Sequence, residues 1–238
     1  MKKVIKKISK YKYFNVIVTS LLTVLVVLVF DLFGYYDSFE LRLFDFKTAL
    51  TADYNKPDTN IVMVAIDDNS LEFFEKNEVN WPWPREFYGV VLDYLKYAGA
   101  QAAIFDIHFS SKEIARLDVD PEESERKFSE SMLNFENAYL ITSMIEKKEG
   151  DEVGNELLKK HLYDVYGSIY KKNYIKAEAP IIPFQQASKG VGVVTLNPDK
   201  DNIIRRIPLV FQYKNNIVPQ ISMLVYRNVF GKNNSFKY

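Results

Sequence analysis

The residues of this chain that could do chemistry together lie in one stretch, Ile61 to Ser111. Asp67 and Asp68 close an apolar run, Asp106 and His108 close a second, and Trp81-Pro82-Trp83-Pro84-Arg85 stands between them. Carboxylates and an imidazole at neighbouring strand ends are ligand types for a hard or borderline cation. With an activated water, such a set would serve a metal-dependent hydrolase. The competing role is plainer: an Asp at a strand end accepts hydrogen bonds from the turn or helix that follows. The chain has two histidines, His108 and His161, and no HExxH-type ligand pair. The plainer role is therefore preferred, with no catalytic residue, metal or other cofactor assigned. Proline disfavours helix at the residue before it, so the Trp-Pro-Trp-Pro run reads as stiff and extended. Trp81 and Trp83 would then point to opposite sides. Either one packs on the core while the other lines a cavity, or both cover the start of the next helix. Arg85 is placed to pair with Asp67, Asp68 or Asp106. The cleft between these groups, with Asp67, Asp68, Trp81, Trp83, Arg85 and Asp106 as candidate ligand-binding residues, is the expected binding place.

The elements that must position this set follow from the pattern around it. Ile61 to Ile66 and Ala102 to Phe105 are short apolar runs of the kind buried on both faces in a parallel sheet. The segment Pro84 to Ala98 has helical period, with Phe87, Val91, Tyr94, Leu95 and Ala98 on one face. Pro84 suits a first helical turn and Gly99 suits a helix end. Strand, crossover helix and parallel strand make a β-α-β unit, and ligands of open parallel sheets sit beyond the carboxyl ends of the strands.

At the start of the chain, Tyr13 to Phe30 is almost continuously apolar, and Leu32 and Phe33 extend it past Asp31. About 20 such residues span a bilayer as a helix. Lys2, Lys3, Lys6, Lys7, Lys10 and Lys12 precede it with no acid among residues 1–12. The positive-inside rule then keeps the tail cytoplasmic and puts everything after Phe33 outside. No small-x-small cleavage site follows the apolar core, so an uncleaved anchor is expected rather than a signal peptide. The remaining 226 residues hold 25 basic and 31 acidic side chains, an acidic balance that argues against nucleic acid as a partner. There is no cysteine, hence no disulfide and no thiol chemistry.

Beyond the anchor, Phe39, Leu43, Phe46 and Leu50 mark a helix over Asp37 to Asp53, and Asn55 to Asp58 a loop. Asp120-Pro121-Glu122-Glu123 is a helix start, with Asp120 as cap and Glu123 reaching back. Phe128, Met132 and Phe135 form the buried stripe of that helix, and Tyr139 to Ile145 reads as a strand. Glu146 to Asn173 is a polar excursion with one short helix near Glu156 to Tyr163, and a further short helix lies near Phe184 to Ala187. Gly190 to Phe211 reads as a hairpin around Asn197 to Asn202, with Pro208 at an edge. Ile221, Leu224, Val225 and Val229 mark a last helix ending at Gly231.

The chain resembles the second type of CHASE domain, the extracellular sensory module of bacterial cyclases and kinases. The resemblance is carried by Leu41-Arg42-Leu43-Phe44-Asp45, Ile61 to Leu71, and Trp81 to Arg85 with Tyr88. Ala98-Gly99-Ala100, Phe105-Asp106-Ile107 with Phe109, Gly192-Val193-Val194, Asp199 and Arg205 to Leu209 continue it. It covers roughly residues 35–230. It implies a sensor on a transmembrane receptor, with further membrane helices and a cyclase, histidine kinase or serine/threonine kinase output beyond it. Those parts are not in this sequence, so a fragment of a longer receptor, or signalling through a partner, is expected. The organisation expected is a basic cytoplasmic tail (1–12), a transmembrane helix (13–33), an α/β sensory domain with a mixed sheet (35–230) and a polar tail (231–238). The expected partners are the lipid bilayer, a small-molecule or protein stimulus and a second copy in a homodimer. A metal-dependent hydrolase and a purely structural dimerisation module are the alternatives.

Overall fold

The structure is a computed structural model and describes residues 13–52, 59–116, 119–145, 155–164 and 173–231. The expectations for the lysine tail, the Asn55–Asp58 loop, most of the Glu146–Asn173 excursion and the C-terminal tail lie outside the described residues. The chain divides into two units, residues 1–65 and 66–238, each described by itself.

In the first unit, helix α1 spans Phe14–Leu32 and helix α2 spans Asp37–Thr51. At 1.5 Å per residue, the 19 residues of α1 give about 30 Å, the thickness of a bilayer's hydrocarbon core. Its hydroxyls are satisfied along the helix. Thr19 Oγ1 donates to the Asn15 carbonyl at 2.8 Å and Thr23 Oγ1 to that of Thr19 at 2.9 Å. None of the side chains of α1 or α2 is buried.

The second unit carries helices α3 (Asp68–Lys76), α4 (Arg85–Tyr97), α5 (Pro121–Phe135), α6 (Ile182–Ala187) and α7 (Ile221–Phe230). Its strands are β1 (Ala103–Phe105), β2 (Ala138–Ile145), β3 (Tyr163–Asp164), β4 (Asn173–Tyr174), β5 (Lys176–Glu178), β6 (Gly190–Val193), β7 (Val210–Tyr213) and β8 (Asn216–Pro219). Strand β2 is the centre of the main sheet. It pairs in parallel with β1 and β6, and its far end pairs antiparallel with β5. A second sheet runs β3-β8-β7-β4. The architecture is mixed α/β with mixed sheets.

Alternation along β2 explains its near-continuous apolar sequence. Ala138, Leu140 and Met144 join the larger core with Tyr88, Leu92, Phe105, Phe109, Phe128 and Phe184. Tyr139 and Ile141 face the other way and pack with Ile221 and Leu224 of α7. Helix α7 comes so close to β6 that a Cβ on Gly192 would sit 2.6 Å from the Ile221 Cα. Helix α5 begins as its sequence directs: Asp120 Oδ1 accepts from the Glu122 and Glu123 amides at 3.0 and 3.5 Å, and Phe128, Met132 and Phe135 are buried. Glu123 does not reach back; it holds Arg126 instead, at 2.6 Å.

Four expectations need correction. Ile61 to Ile66 carries no strand among the described residues, and its side chains are exposed. Apolar β-branched residues fit a strand, but a strand exists only where an edge pairs with it. The parallel strand–helix–strand unit is present one step later, as β1-α5-β2. Helix α4 buries Arg85, Tyr88, Gly89 and Leu92, whereas Val91, Tyr94 and Ala98 of the expected inner stripe are exposed. This helix is apolar on two faces, and period alone does not say which one packs. Gly89 helps decide it, since a Cβ there would lie 3.0 Å from Ser131 Oγ of α5. Strands β6 and β7 do not form a hairpin; β6 pairs with β2 and β7 with β8. The turn itself is there, closed by the Asn202 amide donating to the Asp199 carbonyl at 2.9 Å and pinned by Arg205 on Asp199 and Asp201. Finally, the short helix near Glu156 is a single 3-10 turn, Lys159–His161.

Candidate functional site

The expected rim does not assemble. Asp67 caps α3: its Oδ1 accepts from the Ser70 amide at 2.8 Å and from Ser70 Oγ at 2.6 Å. Those bonds from Ser70 hold its carboxyl below the usual value. Asp68 is the exposed first residue of the same helix, and Asp106 is exposed just past β1. His108 faces elsewhere, with Nε2 3.3 Å from Ser143 Oγ and Nδ1 3.8 Å from the Glu178 carboxylate. Among the described residues no three His, Asp or Glu side chains form a group that could hold a metal ion. None of Asp67, Asp68 and Asp106 pairs with Arg85 among the described residues.

What the structure does assemble is the start of α4. Its cap position is Pro84, which has no side-chain acceptor for the first helical amides. Such amides need partners when a helix end is buried. Glu113 supplies one from a loop 28 residues away, its Oε2 accepting from the Arg85 amide at 2.6 Å. Ser124 Oγ of α5 accepts from the Glu86 amide at 3.0 Å and donates to Glu113 Oε2 at 3.3 Å. Glu113 Oε1 accepts from the Ile114 amide at 3.1 Å and from Arg116 at 2.7 Å. Arg116 also donates to the Pro82 carbonyl, which ties the loop to the Trp-Pro run. The Glu113 side chain is 2% exposed, so this carboxylate is a buried charge surrounded by donors.

Around it lies an aromatic wall. Trp83 is buried against Phe74 of α3, with ring centroids 4.2 Å apart. Trp81 is half exposed, and its ring meets Trp83 edge-on at 5.4 Å. The two indoles therefore touch, although one is inside and the other out. The Arg85 side chain turns inward, 6% exposed, with its guanidinium 4.8 Å from the centre of the Phe109 ring. Burial pushes its pKa down, with Glu113 acting in the opposite direction. Tyr88, one turn on, lies 5.3 Å from Phe109, and burial pushes its phenol up to about 12. Trp83 Nε1, Arg85 Nε and the Tyr88 hydroxyl are buried without a hydrogen-bond partner among the described residues. Buried donors of this kind are normally satisfied. Three of them fall within six residues of chain.

Of the candidate binding residues singled out from the sequence, Trp81, Trp83 and Arg85 lie at this helix start; Glu113 and Tyr88 were not among them. The available signal was the cap itself: a helix opening on Pro84 with no Ser, Thr, Asp or Asn before it needs an acceptor from elsewhere in the chain.

The family model of the CHASE2 domain matches residues 21–237. The chain belongs to the CHASE2 family, a family of extracellular sensory domains. Comparison with curated proteins and with solved structures gave no match.

Proposed function

We propose that this chain is the stimulus-binding part of a transmembrane signalling receptor. Helix α1 is its anchor, the lysine tail lies in the cytoplasm, and the α/β unit faces outside. The observation that carries this reading is a sensory-family match beginning inside an apolar helix of membrane-spanning length. The output, a cyclase or kinase in the receptors that the resemblance points to, belongs to a further segment or a partner. The stimulus acts by favouring one of two arrangements of the sensor, since a ligand shifts an equilibrium only by its differential affinity.

The binding place that the geometry favours is the start of α4. A ligand offering acceptor oxygens would meet Trp83 Nε1, Arg85 Nε and the Tyr88 hydroxyl, with the half-exposed Trp81 beside Trp83. Binding to the native state alone raises thermal stability. A panel of small carboxylates, phosphates and neutral carbonyl compounds is therefore screened by thermal shift on the full chain in detergent. At least one compound should raise Tm in the natural protein and not in Trp83→Phe or Tyr88→Phe. If no compound does so, or if both variants respond equally, the placement is wrong.

A further inference from the structure

The segment Glu156 to His161 meets α6 through one buried residue. Gln185 is completely buried and holds the segment at three points. Its Oε1 accepts from the Leu158 amide at 2.8 Å, its Nε2 donates to the Glu156 carbonyl at 2.9 Å, and its own carbonyl accepts from His161 Nε2 at 3.0 Å. Lys160 Nζ donates to the Gln186 and Ser188 carbonyls at 2.7 and 3.0 Å, at the end of the same helix. These contacts all converge on the last turn of α6.

His161 is the member of this set whose chemistry changes with pH. Its ring is buried, and the bond to the Gln185 carbonyl needs only the Nε2–H that one neutral tautomer carries. A second proton adds nothing to that bond and brings a charge into a buried place. Strand β6, packed on this turn, and helix α6 contain no charged side chain. Lys189 before β6, and Glu156, Lys159 and Asp164 on the segment, are exposed, with Glu156 paired to Lys214 at 2.6 Å. No carboxylate offsets a charge on His161 among the described residues, and Lys160 acts on it with the same sign.

We propose that this segment is an acid-released latch: proton uptake by His161 favours a state in which Glu156 to His161 has left Gln185 while the β1-β2-β6 sheet stays folded. The proton is then a ligand of the released state and shifts the equilibrium by its differential affinity. The released ring has an ordinary imidazole pKa, whereas burial first and Lys160 second lower that of the latched ring to about 4. The release constant therefore rises about twentyfold between pH 7 and pH 5. In the proposed topology the latch lies outside, where acidity becomes an input separate from any ligand at the start of α4.

Amide hydrogen exchange on the full chain in detergent tests this, with each rate divided by the intrinsic rate at the same pH. The Leu158, His161 and Leu162 amides are all hydrogen-bonded in the latch. Their protection should fall about twentyfold from pH 7 to pH 5, while that of β2 and β6 changes by less than about threefold. In His161→Gln, whose amide can still donate to the Gln185 carbonyl, the pH dependence of the segment should vanish. A second measurement needs no change at the latch. The chain has two histidines, so His108→Gln leaves one imidazole NMR signal, which should titrate at about pH 4. Any of four results overturns the proposal: constant protection of the segment between pH 7 and pH 5, an equal loss in β2, a segment response that survives His161→Gln, or a His161 signal that titrates at the ordinary imidazole value.

Discussion

Glu113 offers the strongest single perturbation in the fold. Its two carboxylate oxygens accept from the Arg85 amide, Ser124 Oγ, the Ile114 amide and Arg116, and every partner is a donor. Glu113→Ala removes the cap of α4 and leaves the buried Arg85 and the half-buried Arg116 without their carboxylate. Removing one partner of a buried pair costs about 3–5 kcal/mol. For a chain of this size, each kcal/mol lowers Tm by about 2–4 °C, so the loss should be about 6–20 °C. The isosteric Glu113→Gln is the more searching variant. Whichever way its amide turns, an NH2 group faces two donors that need an acceptor. Gln should therefore lose nearly as much as Ala, although its volume is conserved. A double-mutant cycle with Arg116→Ala should return a coupling of about 1–3 kcal/mol, as expected for groups in one network. Thermal unfolding of the full chain in detergent, followed by circular dichroism, reads all of these. A Glu113→Gln variant within about 2 °C of the natural protein, well inside the expected shift, would show that the buried carboxylate does not hold the start of α4.

Three further outcomes follow from other parts of the second unit. His161 is buried, its Nε2 donates to the Gln185 carbonyl at 3.0 Å, and burial, with Lys160 adding to it, lowers its pKa to about 4. The unfolded chain binds the proton more tightly, so this contribution is complete above about pH 6.5 and is lost as pH falls from there towards 4. It amounts to about 3 kcal/mol. His161→Gln should flatten that limb in urea titrations at pH 7 and pH 4.5. Gly192→Ala forces a methyl against the Ile221 backbone and should cost about 1–3 kcal/mol, read as a lower urea midpoint. Tyr88→Phe removes a hydroxyl that has no partner among the described residues, so the unliganded protein should change by less than about 1 kcal/mol in either direction.

Local signals carried far in this chain. Asp120-Pro121 fixed the start of α5 because cap chemistry is local, and the Phe128, Met132 and Phe135 stripe had one apolar side to choose. The same logic failed at α4, where Phe87, Val91 and Tyr94 offer a stripe as regular as the one that packs. The choice there rests on Gly89 meeting Ser131 and on Tyr88 meeting Phe109, contacts between segments far apart in sequence. Strand partners were hidden for a similar reason: GVGVVTL and RRIPLVF look like neighbours across a turn, yet β6 is taken up by β2. At the candidate site the indoles and Arg85 were visible in the Trp-Pro run. Glu113 was not, because a lone acid in a loop shows its role only when the loop folds over a helix end.

In the proposed topology one apolar helix separates a cytoplasmic tail from a sensory unit outside. It is tested most directly by single cysteines in the natural, cysteine-free background. Lys76→Cys, exposed on α3, and Lys3→Cys, in the basic tail, are treated in intact cells with a maleimide that does not cross membranes. Labelling of Lys76→Cys in intact cells, and of Lys3→Cys only after permeabilisation, is the expected result. Labelling of Lys3→Cys in intact cells, with Lys76→Cys protected until the cells are opened, would contradict it.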